Sequence, residues 1–237
     1  MPTPLQAPAA GGREPIYNVR VNHPPADRCL DPLDRLLDQV DRGLRTLFAQ
    51  PRARRPNPAR GSAGDELPEA DRNRSAALMR VDHAGEVAAQ GLYHGQALTA
   101  RTPAMAASMH RAAEEEGDHL AWCRERLTEL GGRPSRLDPV WYLGSLAIGA
   151  AAGLAGDRWS LGFMAETERQ VEGHLAGHLA RLPEHDFRSR AILEQMRVDE
   201  AEHAVHARTL GGQPLPALAS KAMQRVARVM TWVSERV

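Results

Sequence analysis

Cysteine is nearly missing from this chain. Cys29 and Cys123 are the only two in 237 residues, and they stand far apart with no C-x-x-C pair. A disulfide framework, a thiolate zinc site and an iron–sulfur cluster all lose their ligands on that count. Excess charge is missing too: Lys+Arg and Asp+Glu number 30 each, for a formal net charge of zero. A nucleic-acid partner held by bulk electrostatics is therefore disfavoured. No apolar signal-peptide core follows Met1, because the first thirty residues are rich in Pro and interrupted by Arg. The cytoplasm is the default compartment. Strand-like alternation is absent beyond residue 74. What is present is a 42% hydrophobic chain long enough for one sizeable core.

The apolar pattern predicts helices almost throughout. Residues 1–28 read as irregular, and Leu33, Leu36, Leu37, Val40, Leu44 and Leu47 then mark a helix over about 31–50. The Pro-, Arg- and Gly-rich stretch 51–73 reads as a mobile linker. Four long helices are expected over 74–101, 104–131, 141–182 and 186–210, separated by Pro103, Gly131-Gly132-Arg133-Pro134 and Pro183. A final amphipathic helix carries Leu218, Ala222, Val226, Met230, Val233 and Val237 on one stripe. Two regions follow: residues 1–72, with the irregular segment, one helix and the linker, and a helical domain over 73–237.

The chemistry-bearing residues form one pattern stated twice. Glu86 stands alone, and thirty residues later comes Glu116-Gly117-Asp118-His119; Glu168 stands alone, and thirty-two residues later comes Glu200-Ala201-Glu202-His203. In E-x-x-H the two side chains leave one helix face about a turn apart and can reach a single point. Two such helices and a Glu from each of two others bring four carboxylates and two imidazoles into one core. That is the ligand set of carboxylate-bridged di-iron or di-manganese bundles. Two divalent cations would neutralise the four negative charges, whereas bare carboxylates in a low dielectric would repel and take up protons. Imidazole and carboxylate suit iron and manganese alike, so spacing leaves that choice open.

Neighbouring residues are weighed on the same face logic. Glu114 and Glu115 are expected on the solvated side of their helix, Glu166 and Glu172 are weaker rivals of Glu168, and His94, His110, His178 and His185 are expected at the surface. His83 shares the Glu86 face and reads as a ligand, a donor to a ligand, or a packed core histidine. Asp199, next to Glu200, is placed to receive the outer ring nitrogen of His119. The uncharged run Val140–Gly156 is at the lower limit for crossing a hydrocarbon layer of about 30 Å. Its Trp141 and Tyr142 suit an interfacial position. A monotopic attachment is expected there, and an ordinary buried helix is the other reading.

Arg80-Val81-Asp82-His83-Ala84-Gly85-Glu86, followed by Tyr93 and Gly95-Gln96, resembles the RVDHAGE segment of the demethoxyubiquinone hydroxylases of ubiquinone biosynthesis. The resemblance runs from about Asn73 to Val237, through Glu116–Leu120, Glu168, Asp199–His203 and Ser234-Glu235-Arg236. It implies an all-α, ferritin-like four-helix bundle with two additional helices. It also implies two iron ions per chain on Glu86, Glu116, His119, Glu168, Glu200 and His203, the six residues that spacing selects. The implied activity is an O2-dependent monooxygenase that hydroxylates a polyprenyl methoxy-benzoquinol. Its partners would be the quinol, O2 and a membrane surface, with no nucleic acid, peripherally on the cytoplasmic side of the cell membrane. His174, six residues beyond Glu168, corresponds to a family histidine linked to substrate or reductant, and the tyrosine that follows it in some members is Leu175 here. A homo-oligomer and a complex with other quinone-biosynthesis proteins are both left open. A bacterioferritin-like iron store shares the doubled motif but has little use for an uncharged helix. A rubrerythrin-like peroxidase would want a cysteine-rich site, and a tRNA-modifying hydroxylase would want a basic face.

Overall fold

The computed structural model describes residues 32–62 and 66–237. The irregular stretch expected over 1–28, together with Cys29, lies outside the described residues. The described residues form seven helices and no strand: α1 (Pro32–Phe48), α2 (Glu69–Thr99), α3 (Pro103–Glu129), α4 (Asp138–Leu154), α5 (Asp157–Arg181), α6 (Phe187–Thr209) and α7 (Ala217–Ser234).

The helix ends are set by local chemistry. Thr102 caps α3 by accepting from the Met105 amide at 3.1 Å, and Asp186 caps α6 by accepting from the Ser189 amide at 2.9 Å. Both E-x-x-H helices end in Leu-Gly-Gly, with Gly131 (φ +72°) and Gly211 (φ +97°) in the left-handed region. At each end the second glycine amide donates back to the third-last helical carbonyl, Gly132 to Leu127 at 2.8 Å and Gly212 to Ala207 at 3.1 Å. This is a Schellman turn, which reverses the chain sharply.

Helices α2 and α3 pack as one hairpin and α5 and α6 as another, and their joining through α3–α6 and α2–α5 contacts completes the four-helix bundle. The larger apolar core, including Leu78, Met79, Trp122, Leu127, Leu175 and Ile192, fills one end. A second cluster with Tyr93, Met109, Leu161 and Met164 fills the other. Polar ligand candidates occupy the level between them.

The single helix expected over 141–182 is two helices. Gly156 adopts φ +113°, a conformation that side-chain-bearing residues rarely reach, and it closes α4 and opens α5. Apolar composition alone carries no sign of that break. Among the described residues three helices therefore lie outside the bundle, α1, α4 and α7, where the periodicity indicated two.

Helix α4 lies against α2 along facing glycines. A Cβ on Gly95 would overlap the Leu146 carbonyl, one on Gly149 the Leu92 carbonyl, and one on Gly153 the Thr99 hydroxyl. Gly91-x-x-x-Gly95 and Gly149-x-x-x-Gly153 thus let two backbones touch, as small-residue pairs do in membrane helices. The contact is pinned by Thr99 Oγ1, which donates to the Ala150 carbonyl at 3.0 Å, and by a 2.9 Å hydrogen bond between His94 Nδ1 and Tyr142 Oη. His94 is therefore buried, not at the surface, and burial, aided by the Arg42 charge, lowers its pKa to about 3. Tyr142 is likewise buried and not interfacial.

The described parts of the stretch 51–73, residues 51–62 and 66–73, differ from the mobile linker expected there. Residues 51–62 run as a strap across the bundle, Asn57 and Ala59 are buried, and α2 starts at Glu69. Low apolar content made the strap look solvated, but its anchors are polar. Asn57 Nδ2 donates to Glu125 Oε2 at 2.9 Å, while Ala59 joins the larger core.

Candidate metal centre

Each half of the repeated motif delivers its residues to the same level of the bundle. Glu86 comes from α2, Glu116 and His119 from α3, Glu168 from α5, and Glu200 and His203 from α6. Their donor atoms form two groups, each with all members within 4.8 Å of one another: Glu86, Glu116, His119 and Glu200; then Glu116, Glu168, Glu200 and His203. Glu116 and Glu200 belong to both groups, so the two E-x-x-H glutamates lie between the two positions. Glu86 and Glu168 lie at opposite ends.

Both imidazoles turn Nδ1 inward. His119 Nδ1 is 2.7 Å from Glu116 and 3.3 Å from Glu200, and His203 Nδ1 is 3.0 Å from Glu116 and 3.8 Å from Glu200. Their outer nitrogens follow one rule. His119 Nε2 meets Asp199 Oδ2 at 2.9 Å, and His203 Nε2 meets Glu115 Oε2 at 3.2 Å. Each of the two histidines is thus held by the acid preceding the shared glutamate of the other helix, which fixes ring orientation. The sequence pattern selects Asp199. Glu115, expected only as a solvated residue, is its counterpart, and the symmetry of the repeat was the signal that could have found it.

The remaining candidates sort by contact. Glu166 bonds to Arg169 at 2.7 Å and Glu172 faces Arg197 at 3.6 Å, so neither competes with buried Glu168. His83 is buried with Nδ1 3.3 Å from Asp138 Oδ2, tying α2 to the start of α4, and it joins neither group. His178 is buried, contrary to expectation, with Nδ1 2.8 Å from Asp82 Oδ1. His110 is half-buried and His185 exposed.

The donor set fits metal ions. Both oxygens of Glu116, one each of Glu168 and Glu200, and the Nδ1 atoms of His119 and His203 are buried without a hydrogen bond, and all face one another. A core does not ordinarily orphan so many polar atoms at one point. The site's groups shift in both directions: burial would raise the Glu116 carboxyl, but His119 and His203 outweigh it and hold Glu116 below the usual carboxylate range. Burial, reinforced by Glu116, pushes the Glu86 carboxyl well above the usual range, and burial with Glu200 does the same to Glu168. Burial opposes charge on His119, but Glu116 and Asp199 outweigh it and hold that imidazole well above its ordinary value. His203 is raised likewise, burial being outweighed by Glu115, Glu116 and Glu200.

The sign of a pH effect follows. Groups with raised pKa hold protons to higher pH than usual, and a divalent ion must displace those that remain, so apparent affinity rises with pH and falls in acid. Calorimetric titration of the metal-free protein with Fe²⁺ under anaerobic conditions, in two buffers of different ionisation enthalpy, is expected to show net proton release at pH 7. Binding with no buffer dependence would mean that the ligands are already bare.

The region that holds these residues is similar to known proteins. Residues 73–234 match the family model described as ubiquinone biosynthesis protein COQ7. The chain is 55% identical over 195 residues to a 3-demethoxyubiquinol 3-hydroxylase of Dechloromonas aromatica, covering 82% of this chain and 94% of that one. It is 57% identical over 196 residues to the protein of the same name from Cupriavidus taiwanensis, covering 82% and 95%. The match spans the repeated Glu and E-x-x-H residues in full, and the chain belongs to the ubiquinone biosynthesis protein COQ7 family.

Proposed function

We propose that this chain is a 3-demethoxyubiquinol 3-hydroxylase, an O2-dependent monooxygenase of ubiquinone biosynthesis that carries two iron ions. The observation that carries this reading beyond the family is an apolar cavity of about 620 Å³ between α2, α4, α5 and α7 that reaches Glu86. Ala89, Ile148, Phe163, Val171, Val226 and Met230 line it, and Asp82, Glu86 and His174 are among its polar lining residues, with Arg169, Gln170 and Arg228. A quinol ring with a prenyl tail needs such a shape: a greasy slot with a few polar groups at one end.

Glu86, Glu116, His119 and Glu200 would hold one iron, and Glu116, Glu168, Glu200 and His203 the other. When bound, the iron pair supplies the reducing electrons and the site where O2 is activated, one oxygen atom going to the ring and the other to water. The chain's residues do the rest. Asp199 and Glu115 hold the ligand imidazoles in place, and the cavity walls exclude water and align the ring. His174 Nε2 lies 3.8 Å from Asp82 Oδ1, and the His174 and His178 rings are 4.0 Å apart. Burial, with the His178 charge, lowers the His174 pKa to about 4, so its ring is neutral at pH 7 and can accept a hydrogen bond from a quinol hydroxyl. Leu175 is buried in the core beside this group, so the position cannot perform the redox role of a tyrosine.

The chain reads as peripheral to the cytoplasmic side of the cell membrane. Among the described residues no helix is long and apolar enough to cross a bilayer. The three helices outside the bundle instead expose Leu37, Leu44 and Phe48 on α1, Val140, Leu143 and Leu154 on α4, and Val229 and Trp232 on α7. Exposed Lys221, Arg225 and Arg228 on α7 suit anionic headgroups. Leu146, within the uncharged run expected to attach to a membrane, packs against Val87, Leu120 and Tyr142 instead.

One experiment tests the reading. Iron-loaded protein, a reductant and demethoxyubiquinol in anionic liposomes under ¹⁸O2 are expected to yield hydroxylated quinol with one labelled oxygen. His174→Ala should slow this by about 100-fold, within the range of lost acid–base help, while keeping its iron. Val229→Asp with Trp232→Asp should spare turnover in detergent and lose it on liposomes, since charge is costly in hydrocarbon. Label arriving from water, or iron mineralisation without quinol turnover, would return the chain to iron storage.

A further inference from the structure

The strap carries one side chain to the metal centre. Arg55 Nε donates to Asp118 Oδ2 at 2.9 Å, and its Nη2 donates to Asp199 Oδ2 at 2.7 Å. Asp118 lies on α3 and Asp199 on α6, so one guanidinium bridges the two E-x-x-H helices. Nη2 is also 3.3 Å from His119 Nε2, and the guanidinium lies 4.8 Å from the centre of the Trp122 ring. The backbone amides of Arg54 and Arg55 donate to Asp118 Oδ1 at 2.5 and 3.4 Å. The strap is therefore clasped at the point where it passes the site.

The shared oxygen gives this clasp a chemical consequence. His119 and Arg55 both address Asp199 Oδ2. A carboxylate facing only the imidazole would make that ring a stronger donor to its metal. A guanidinium on the same oxygen draws off part of that negative charge. It also places a permanent cation beside the site, since arginine does not deprotonate in proteins. Both effects favour the less positively charged, reduced metal pair.

We propose that Arg55 is a positioning and charge-setting residue: it clasps Asp118 and Asp199 to pin the strap, and through Asp199 it orients His119 and raises the reduction potential of the metal pair. The proposal rests on the six-ligand iron reading. It assigns a role to a segment outside the doubled motif.

The test uses the full chain. In the metal-free protein, tryptic cleavage after Arg60 is expected to be slow in the parent and faster in Arg55→Ala, which reads the clasp alone. In the iron-loaded protein, a mediated redox titration followed by optical absorbance is expected to show a lower potential for Arg55→Ala. At a fixed applied potential the oxidised-to-reduced ratio should change at least tenfold, or ~59 mV for a one-electron step. Arg55→Lys keeps the charge but cannot fork to two carboxylates, so it should fall between the two. Arg54→Ala removes equal charge from a side chain paired with exposed Glu114 and should leave the potential unchanged. The Arg55→Ala shift should shrink when Asp199 is already Asn. An unaltered potential in Arg55→Ala, an equal shift in Arg54→Ala, or a full shift in the Asp199→Asn background would overturn the proposal while leaving the iron reading intact. A parent that binds no iron would overturn both.

Discussion

Replacing Glu116 or Glu200 with alanine is expected to empty both metal positions at once. Each of these carboxylates belongs to both donor groups, whereas Glu86 and Glu168 each belong to one. Loss of a shared ligand should lower turnover by more than about 1,000-fold, beyond the 10- to 100-fold typical of losing a residue that only supports a ligand. The fold should survive, because the two larger apolar clusters contain none of the six residues. Either change takes a carboxylate from beside His119 and His203, so the metal-free variant should stay helical but unfold earlier than the metal-free parent. Metal analysis per chain, far-UV circular dichroism and thermal unfolding check this together. Two metals per chain with parental turnover in either variant would sink the site assignment.

A leucine at Gly149 is the second large effect. A Cβ at that position already overlaps the Leu92 carbonyl, which is backbone and cannot rotate aside, so α4 must lift from α2. Overpacking of this kind costs about 3 kcal/mol or more. It also moves Ser145 and Ile148, two wall residues of the cavity. Gly144, on the same helix, meets nothing within 4 Å when a Cβ is added. Gly144→Ala should therefore stabilise by up to about 1 kcal/mol through helix propensity. Urea unfolding of both variants measures the contrast, and equal stabilities would mean that the α2–α4 contact carries no weight.

How much of this was legible in the sequence depended on range. The six residues that meet between the two apolar clusters are legible because E-x-x-H is a local pattern whose geometry a single helix guarantees, and its repetition removes the ambiguity of one copy. Asp199 is legible for the same reason, being adjacent to Glu200. Arg55 is not, because its partners lie 63 and 144 residues away and nothing in a Pro- and Arg-rich stretch announces them. His94 and His178 are buried because each has one partner on another helix, Tyr142 and Asp82, and helical spacing is silent about such pairings. The division of 141–182 into two helices rests on the backbone angle of one glycine, which composition does not encode.

That interruption separates two mechanical tasks. The last α4 hydrogen bonds end at the amides of Ala155 and Gly156, and the first of α5 start from the Gly156 carbonyl. An unbroken helix would act as a lever, passing any tilt of its apolar end along a stiff ladder into Glu168. With the ladder cut, a tilt of α4 is not carried into α5, which keeps its own register against α6. The junction at Gly156 thus insulates Glu168 from the helix that lies against α2.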